Sequence, residues 1–145
     1  MLKTKEELPL RTTEENKDII RRFYEEVWNN GRLELVDELV SPVFVSHGLG
    51  SEEGGDRESF KHTINRVHDE LKFRQTIEEL IAEGDTVAAR VSGHGETGEK
   101  GSWRKRITGG KASRRRKRIN GVGAVIWKLR NGQITECWEW WQSAA

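Results

Sequence analysis

Arg130-Asn131-Gly132-Gln133-Ile134-Thr135-Glu136-Cys137-Trp138-Glu139-Trp140-Trp141 decides what kind of fold this chain adopts. Asn131-Gly132 is the strongest short-range hairpin signal in the sequence, because a type I′ turn needs positive φ at both central residues and this pair accepts it. Strand-like runs flank it, about Arg114 to Leu129 before and Gln133 to Trp141 after. Two earlier runs, Phe73 to Ile81 and Thr86 to Gly98, are separated by Glu83-Gly84-Asp85, so the second half of the chain reads as a strand meander.

Further toward the N-terminus the period changes from 2 to 3.6. Thr12 and Glu15 form a capping-box pattern, and Ile19, Ile20, Phe23, Tyr24, Val27 and Trp28 recur at helical spacing until Gly31. A short second helix, Leu33 to Val40, stops before Pro42. Val43 to His47 alternates like a strand, and Gly48 to Gly55 is a glycine-rich loop. A third helix starts behind Asp56 as cap, with Phe60, Ile64, Val67 and Leu71 on one face. Helices first and strands afterwards predict an α+β fold: three N-terminal helices packed on one face of an antiparallel sheet. The expected organisation is a polar leader, residues 1–12, and one domain over residues 13–145.

The net charge of +1 conceals a strong asymmetry. Residues 1–99 carry −9, residues 100–130 carry +12 with no acidic group, and residues 131–145 carry −2. Six Trp and four Phe supply core area in a chain that is only 34% apolar. No apolar run reaches the length of a membrane span and the first ten residues are charged, which predicts a cytoplasmic protein. The lone Cys137 excludes an intrachain disulfide. The four histidines, His47, His62, His68 and His94, lack the spacing of common zinc motifs, so no metal or cofactor is expected.

On the last strand, strict alternation puts Ile134, Glu136, Trp138 and Trp140 on one face and Thr135, Cys137, Glu139 and Trp141 on the other. Both faces are rich in apolar and aromatic groups. An antiparallel sheet with one solvated face carries polar residues there, so one face is expected to line the interior and the other to meet a second subunit in a homodimer. The alternative is that the tryptophans sit at the sheet's end beneath the N-terminal leader.

Four stretches together resemble the SnoaL-like polyketide cyclases, or ester cyclases: Glu15 to Gly31, Leu35 to Gly48 (Leu-Val-Asp-Glu-Leu-Val-Ser-Pro-Val-Phe-Val-Ser-His-Gly), Glu83 to Arg90, and Asn131 to Glu139. The resemblance implies the nuclear-transport-factor-2-like fold, a cone of three helices against a strongly curved sheet, with a pocket inside and often a dimer across the sheet's outer face. It also implies cofactor-independent ring closure by intramolecular aldol condensation, or a related isomerisation, with an acidic residue as general acid and base. In the family that residue is the Asp of a Glu-His-Trp-Asp run. The matching run here is Glu136-Cys137-Trp138-Glu139, so Glu139 takes the Asp position and Cys137 the His position.

On this resemblance Glu139 and His94 are the expected catalytic residues, with His47, Tyr24, Trp141 and Cys137 in contact with a small hydrophobic or carbonyl-bearing ligand. Desolvation against Trp141 is the physical means of raising a glutamate toward neutrality. Each assignment has a plain structural counterpart: a partnered structural carboxylate for Glu139, a solvent-facing loop residue for His94, a strand-end imidazole bonded to backbone for His47, and a core residue for Tyr24. Catalysis therefore stands beside a second expectation, a non-catalytic binding or dimerisation module of the same fold. Epoxide hydrolysis, another activity of this fold, asks for an Asp-Arg-Asp constellation, of which only Arg90 is found.

Lys100 to Arg118 departs from the family, whose proline-containing turn before the penultimate strand is replaced by a basic, proline-free run. A solvated hairpin, an anion site built on clustered arginine and a nucleic-acid footprint are the three readings. The overall pI near 7.9 and the presence of only Trp103 and Trp127 as stacking groups argue against nucleic acid. Like charges on both faces of a strand call for an acidic cover from the same or a neighbouring subunit, which predicts salt-sensitive association.

Overall fold

The computed structural model of the protein describes residues 12–49, 55–96 and 117–144. The leader and most of the basic run, including Arg104 to Arg106 and Arg114 to Arg116, lie outside the described residues, and so do the expectations placed on them.

The chain enters α1 (Thr13–Arg22) through the predicted capping box. Thr12 Oγ1 accepts from the Glu15 N–H at 3.1 Å, and the Glu15 carboxylate accepts from the Thr12 N–H. Two of the otherwise orphaned N-terminal donors are thereby satisfied. From Phe23 the helix continues but winds differently: Phe23–Asn29 is a π-helical turn, and the Asn30 N–H reaches the Glu25 carbonyl five residues back at 3.1 Å. The wider winding gathers Phe23, Tyr24, Val27 and Trp28 on the buried side. Gly31, at φ +73, then closes the segment.

A 3-10 turn (Leu33–Leu35) runs into the short α2 (Val36–Leu39), and β1 (Val40–Leu49) follows directly. Asp56 caps α3 (Arg57–Leu71), its Oδ1 accepting from the Ser59 N–H at 2.9 Å. The meander is β2 (Arg74–Glu83), β3 (Thr86–Glu96), β4 (Arg118–Arg130) and β5 (Gln133–Ser143). Between the last two, Asn131 and Gly132 take φ +53 and +79, the positive pair that a type I′ turn requires.

The five strands lie in the order β1-β5-β4-β3-β2. β2, β3, β4 and β5 pair antiparallel, whereas β1 lies parallel to β5. The expectation of a wholly antiparallel sheet is corrected at this pair, and the reason is topological. α3 carries the chain from β1 at one edge to β2 at the other, so the meander reaches β1 only with its last strand, and a long connection of this kind permits parallel pairing. Register shifts interrupt the β1–β5, β2–β3 and β4–β5 ladders. Such bulges bend strands, and the sheet curves around the helices.

Inside the curve Trp127 is fully buried and forms the hub of an aromatic cluster. The Phe23 and Tyr24 rings meet it edge-on at 5.5 and 5.8 Å, and Phe60 links it to Phe44. Toward the other end of β3 and β4 the inner face carries glycines instead of side chains. The Phe73 ring lies on Gly93, where a Cβ would collide with it, and Trp141 lies on Gly123, where a Cβ would come 2.6 Å from its Cδ2. Only glycine permits rings that close to the backbone. Phe73 and Trp141 then meet edge to face at 5.9 Å.

Candidate active site on the inner face of the sheet

A single bulge sets which side of β5 faces inward. Leu129 pairs with Ile134 but Lys128 pairs with Glu136, so Thr135 is an extra residue, and its hydroxyl donates to the Lys128 carbonyl at 3.2 Å. Strict alternation fails at this point. Ile134 is inward before the bulge and Cys137, Glu139 and Trp141 are inward after it, opposite the inner-face residues Trp127, Val125 and Gly123 of β4. Glu136, Trp138 and Trp140 face out.

Glu139 is therefore brought to the concave side, half-buried, between Val125 on β4 and the backbone of β1. Burial pushes its carboxyl up from the ordinary range to about 7, with desolvation the sole cause. Near neutral pH such a group is divided between acid and base, which suits proton transfer in both directions.

Tyr24, on the π-helical turn, faces the same interior. Burial raises its hydroxyl well above the ordinary value, and the negative charge of Glu139 raises it further. The two groups are thus within electrostatic reach of one another. Among the described residues, Tyr24 Oη, Trp28 Nε1 and Trp127 Nε1 are buried without a well-formed hydrogen bond, although the Trp127 indole N–H lies close enough to the Tyr24 oxygen to offset part of the effect of burial on it. Buried polar atoms are ordinarily satisfied, so three such atoms in one aromatic interior are an unusual concentration, and each can donate. Cys137 is buried, its Sγ 3.6 Å from Ser46 Oγ, and burial pushes its thiol up to about 12, which makes it a packing group and a poor nucleophile.

The two histidines lie elsewhere. His47 shares the outer face with Val45: its ring stacks on Trp138 at 4.6 Å and its Nε2 is 2.6 Å from Glu136 Oε2. The expectation of a pocket-facing His47 is corrected, because Phe44 and Ser46 take the inward positions of β1. His94 is exposed on the outer side of β3, with Nδ1 2.8 Å from Asn120 Oδ1. It is likewise displaced from the place expected of a catalytic donor, since Val91, Gly93 and Gly95 hold the inward positions. Arg90 is also outside, paired with Glu79 at 3.2 Å. Of the six expected site residues the fold thus brings Glu139, Tyr24, Cys137 and Trp141 to the interior and turns His47 and His94 away from it. Asn29, which no sequence pattern singles out, joins the site's supporting structure through Gln75.

Among the described residues no three His, Cys, Asp or Glu side chains converge as a metal site would require, and no helix is long and apolar enough to cross a membrane.

The SnoaL-like polyketide cyclase family model matches residues 18–145. No curated protein matches the chain. Among solved structures, a SnoaL-like polyketide cyclase, described as putative, from Jannaschia sp. CCS1 superposes with a TM-score of 0.72 at 18% identity, covering 93% of this chain and 89% of that one. IdmH from Streptomyces antibioticus, described as a putative polyketide cyclase, gives 0.67 at 25% identity over 86% and 89%. An epoxide hydrolase of LEH-like type from M. tuberculosis gives 0.69 at 14% identity over 90% and 84%. The α+β architecture of three helices on a curved sheet is common to them.

Proposed function

This chain belongs to the SnoaL-like polyketide cyclase family, and we propose that within it the protein performs cofactor-independent acid/base chemistry on a small carbonyl compound, with Glu139 as the proton-transferring group. The observation that carries this reading is the half-buried Glu139 carboxyl, raised to about 7, on the same inner surface as the buried Tyr24 hydroxyl, whose own proton has no well-formed acceptor. In the reaction the Glu139 carboxylate takes a proton from the carbon next to the carbonyl. The C–H electron pair moves into the C–C bond and the carbonyl π pair onto oxygen, giving an enolate. Tyr24 Oη–H donates to that oxygen, and the proton held by Glu139 is then available to a carbon or to the alkoxide of an aldol product. This is polyketide cyclase-like or isomerase-like chemistry, and Trp127, Trp28 and Trp141 supply its apolar walls.

Arg90, which an epoxide hydrolase arrangement would need inside, stands on the outer face, so the cyclase-like reading is favoured over that of the M. tuberculosis neighbour. The test is α-proton exchange in D2O, followed by proton NMR on a panel of small 1,3-dicarbonyl compounds, with wild type against Glu139→Gln. Exchange above the buffer rate that depends on Glu139 is the expected result. Exchange equal in the two proteins contradicts the assignment. The filling of the glycine patch by Phe73 and Trp141 favours a second reading, a binding module without catalysis, whose signature is ligand binding with no exchange above buffer.

The outer face supports the homodimer. Trp140 and Val45 are about half exposed there, and Val122 and Val43 are open as well, so the apolar side chains spread over β1, β5 and β4 suit a second copy of the chain. Trp140→Glu is expected to turn a dimer into a monomer in sedimentation velocity while leaving the fold intact. A monomeric wild-type protein contradicts the proposal.

A further inference from the structure

The π-helical turn is an uncommon way to wind seven residues, and such turns occur mostly as single-turn insertions in α-helices, frequently at functional sites. Here a contact outside the helix holds its end. At its last residue the Asn29 amide makes two hydrogen bonds to one residue of β2: Nδ2 donates to the Gln75 carbonyl at 2.8 Å, and Oδ1 accepts from the Gln75 N–H at 2.7 Å. β2 is the edge of the sheet, and Gln75 pairs with Gly93 on its inner neighbour. In an antiparallel ladder a residue's N–H and C=O point to the same side, here the open one. The asparagine amide offers a donor and an acceptor with the spacing of a peptide group, so it completes the edge as a neighbouring strand would.

This clamp fixes the end of the turn that carries Tyr24 and Trp28. Their polar atoms are two of the three buried groups without a well-formed hydrogen bond. We infer that Asn29 is a positioning residue for the site: its side chain ties the π-helical turn to β2 and thereby sets the Tyr24 hydroxyl toward Glu139. The inference rests on the acid/base reading above for its functional meaning, but its geometry is tested without any substrate. Asn29 touches no reacting atom and acts only through Tyr24.

Tyr24 is the sole tyrosine of the chain, so protein labelled with 13Cζ-tyrosine gives one resonance. Followed from pH 5 to pH 9, that resonance reports ionisation of Glu139 if the hydroxyl lies beside the carboxyl. Cys137, pushed up to about 12, is silent in this range. The Glu139→Gln variant separates the contribution of Glu139 from that of any histidine, and the pH-dependent movement should disappear in it. In Asn29→Ala the movement is expected to fall at least threefold while circular dichroism and cooperative unfolding are retained. Should that variant fail to fold, Asn29→Asp keeps the acceptor for the Gln75 N–H and loses the donor, and a drop of at least twofold is expected. Full movement in whichever variant folds, or none in the wild type, overturns the inference. Failure of the functional reading would show itself elsewhere, as exchange that ignores Glu139 while the Tyr24 resonance still responds to Asn29.

Discussion

Glu139→Gln should lower α-proton exchange by roughly 10²- to 10⁴-fold, the contribution of a positioned general base. The amide keeps the shape and polarity of the carboxyl and removes only its proton affinity, so binding of a neutral ligand should change little. The same substitution should make the protein more stable at alkaline pH. Burial raises the folded-state pKa of Glu139 above the ordinary carboxylate value, so the folded protein holds a proton that the unfolded chain releases. That contribution is present in full below the unfolded value near 4.5 and is lost as pH rises through about 7. Above it the ionised carboxylate costs roughly 1–3 kcal/mol, discounted because the side chain is partly open to solvent. Glutamine carries no such cost. Denaturant melts at pH 4 and pH 8 check this: the variant should gain stability over wild type at pH 8 and match it at pH 4. A wild-type exchange rate that rises with pH to a plateau above 7 is the kinetic counterpart. Equal stability at both pH values would mean that the carboxylate is solvated.

Trp127→Ala should be the most damaging single core change. The side chain is fully buried and touches Phe23, Tyr24 and Phe60, so its removal leaves a cavity at the hub of the cluster. Such truncations cost about 3–5 kcal/mol, a large part of the 5–15 kcal/mol that holds an ordinary domain folded. A fall in Tm of about 10 °C or more is expected. Trp140→Ala, at a site 53% exposed, should cost under about 1 kcal/mol in the isolated subunit and serves as the control. A loss below about 1 kcal/mol for Trp127→Ala would mean that the interior relaxes into the space.

The features visible in the sequence were those fixed by neighbouring residues. The Thr12 and Glu15 box, the Asp56 cap and the Asn131-Gly132 turn are local hydrogen bonds or local φ values, and they appear where their residue types place them. The bulge at Thr135 has no such signature. It is a two-against-one pairing with Lys128 that depends on how the sheet closes, and it decides that Glu139 shares an inner face with both Trp127 and Ile134. The π-helical turn is equally hidden, since its anchor on Gln75 lies 46 residues away.

Alternation alone turns the two histidines outward, against the family pattern. Phe44 and Ser46 inside place His47 outside by simple alternation, and Val91 and Gly93 inside do the same for His94. With both imidazoles outside, the proposed site rests on the Glu139 carboxyl, the Tyr24 phenol and the indoles around them.

The most direct measurement is the titration of Glu139 itself, followed through its 13Cδ resonance and assigned by its loss in Glu139→Gln. A midpoint near 7 is expected. A midpoint in the ordinary range near 4.5 would place the carboxylate in water and contradict the proposed acid/base role.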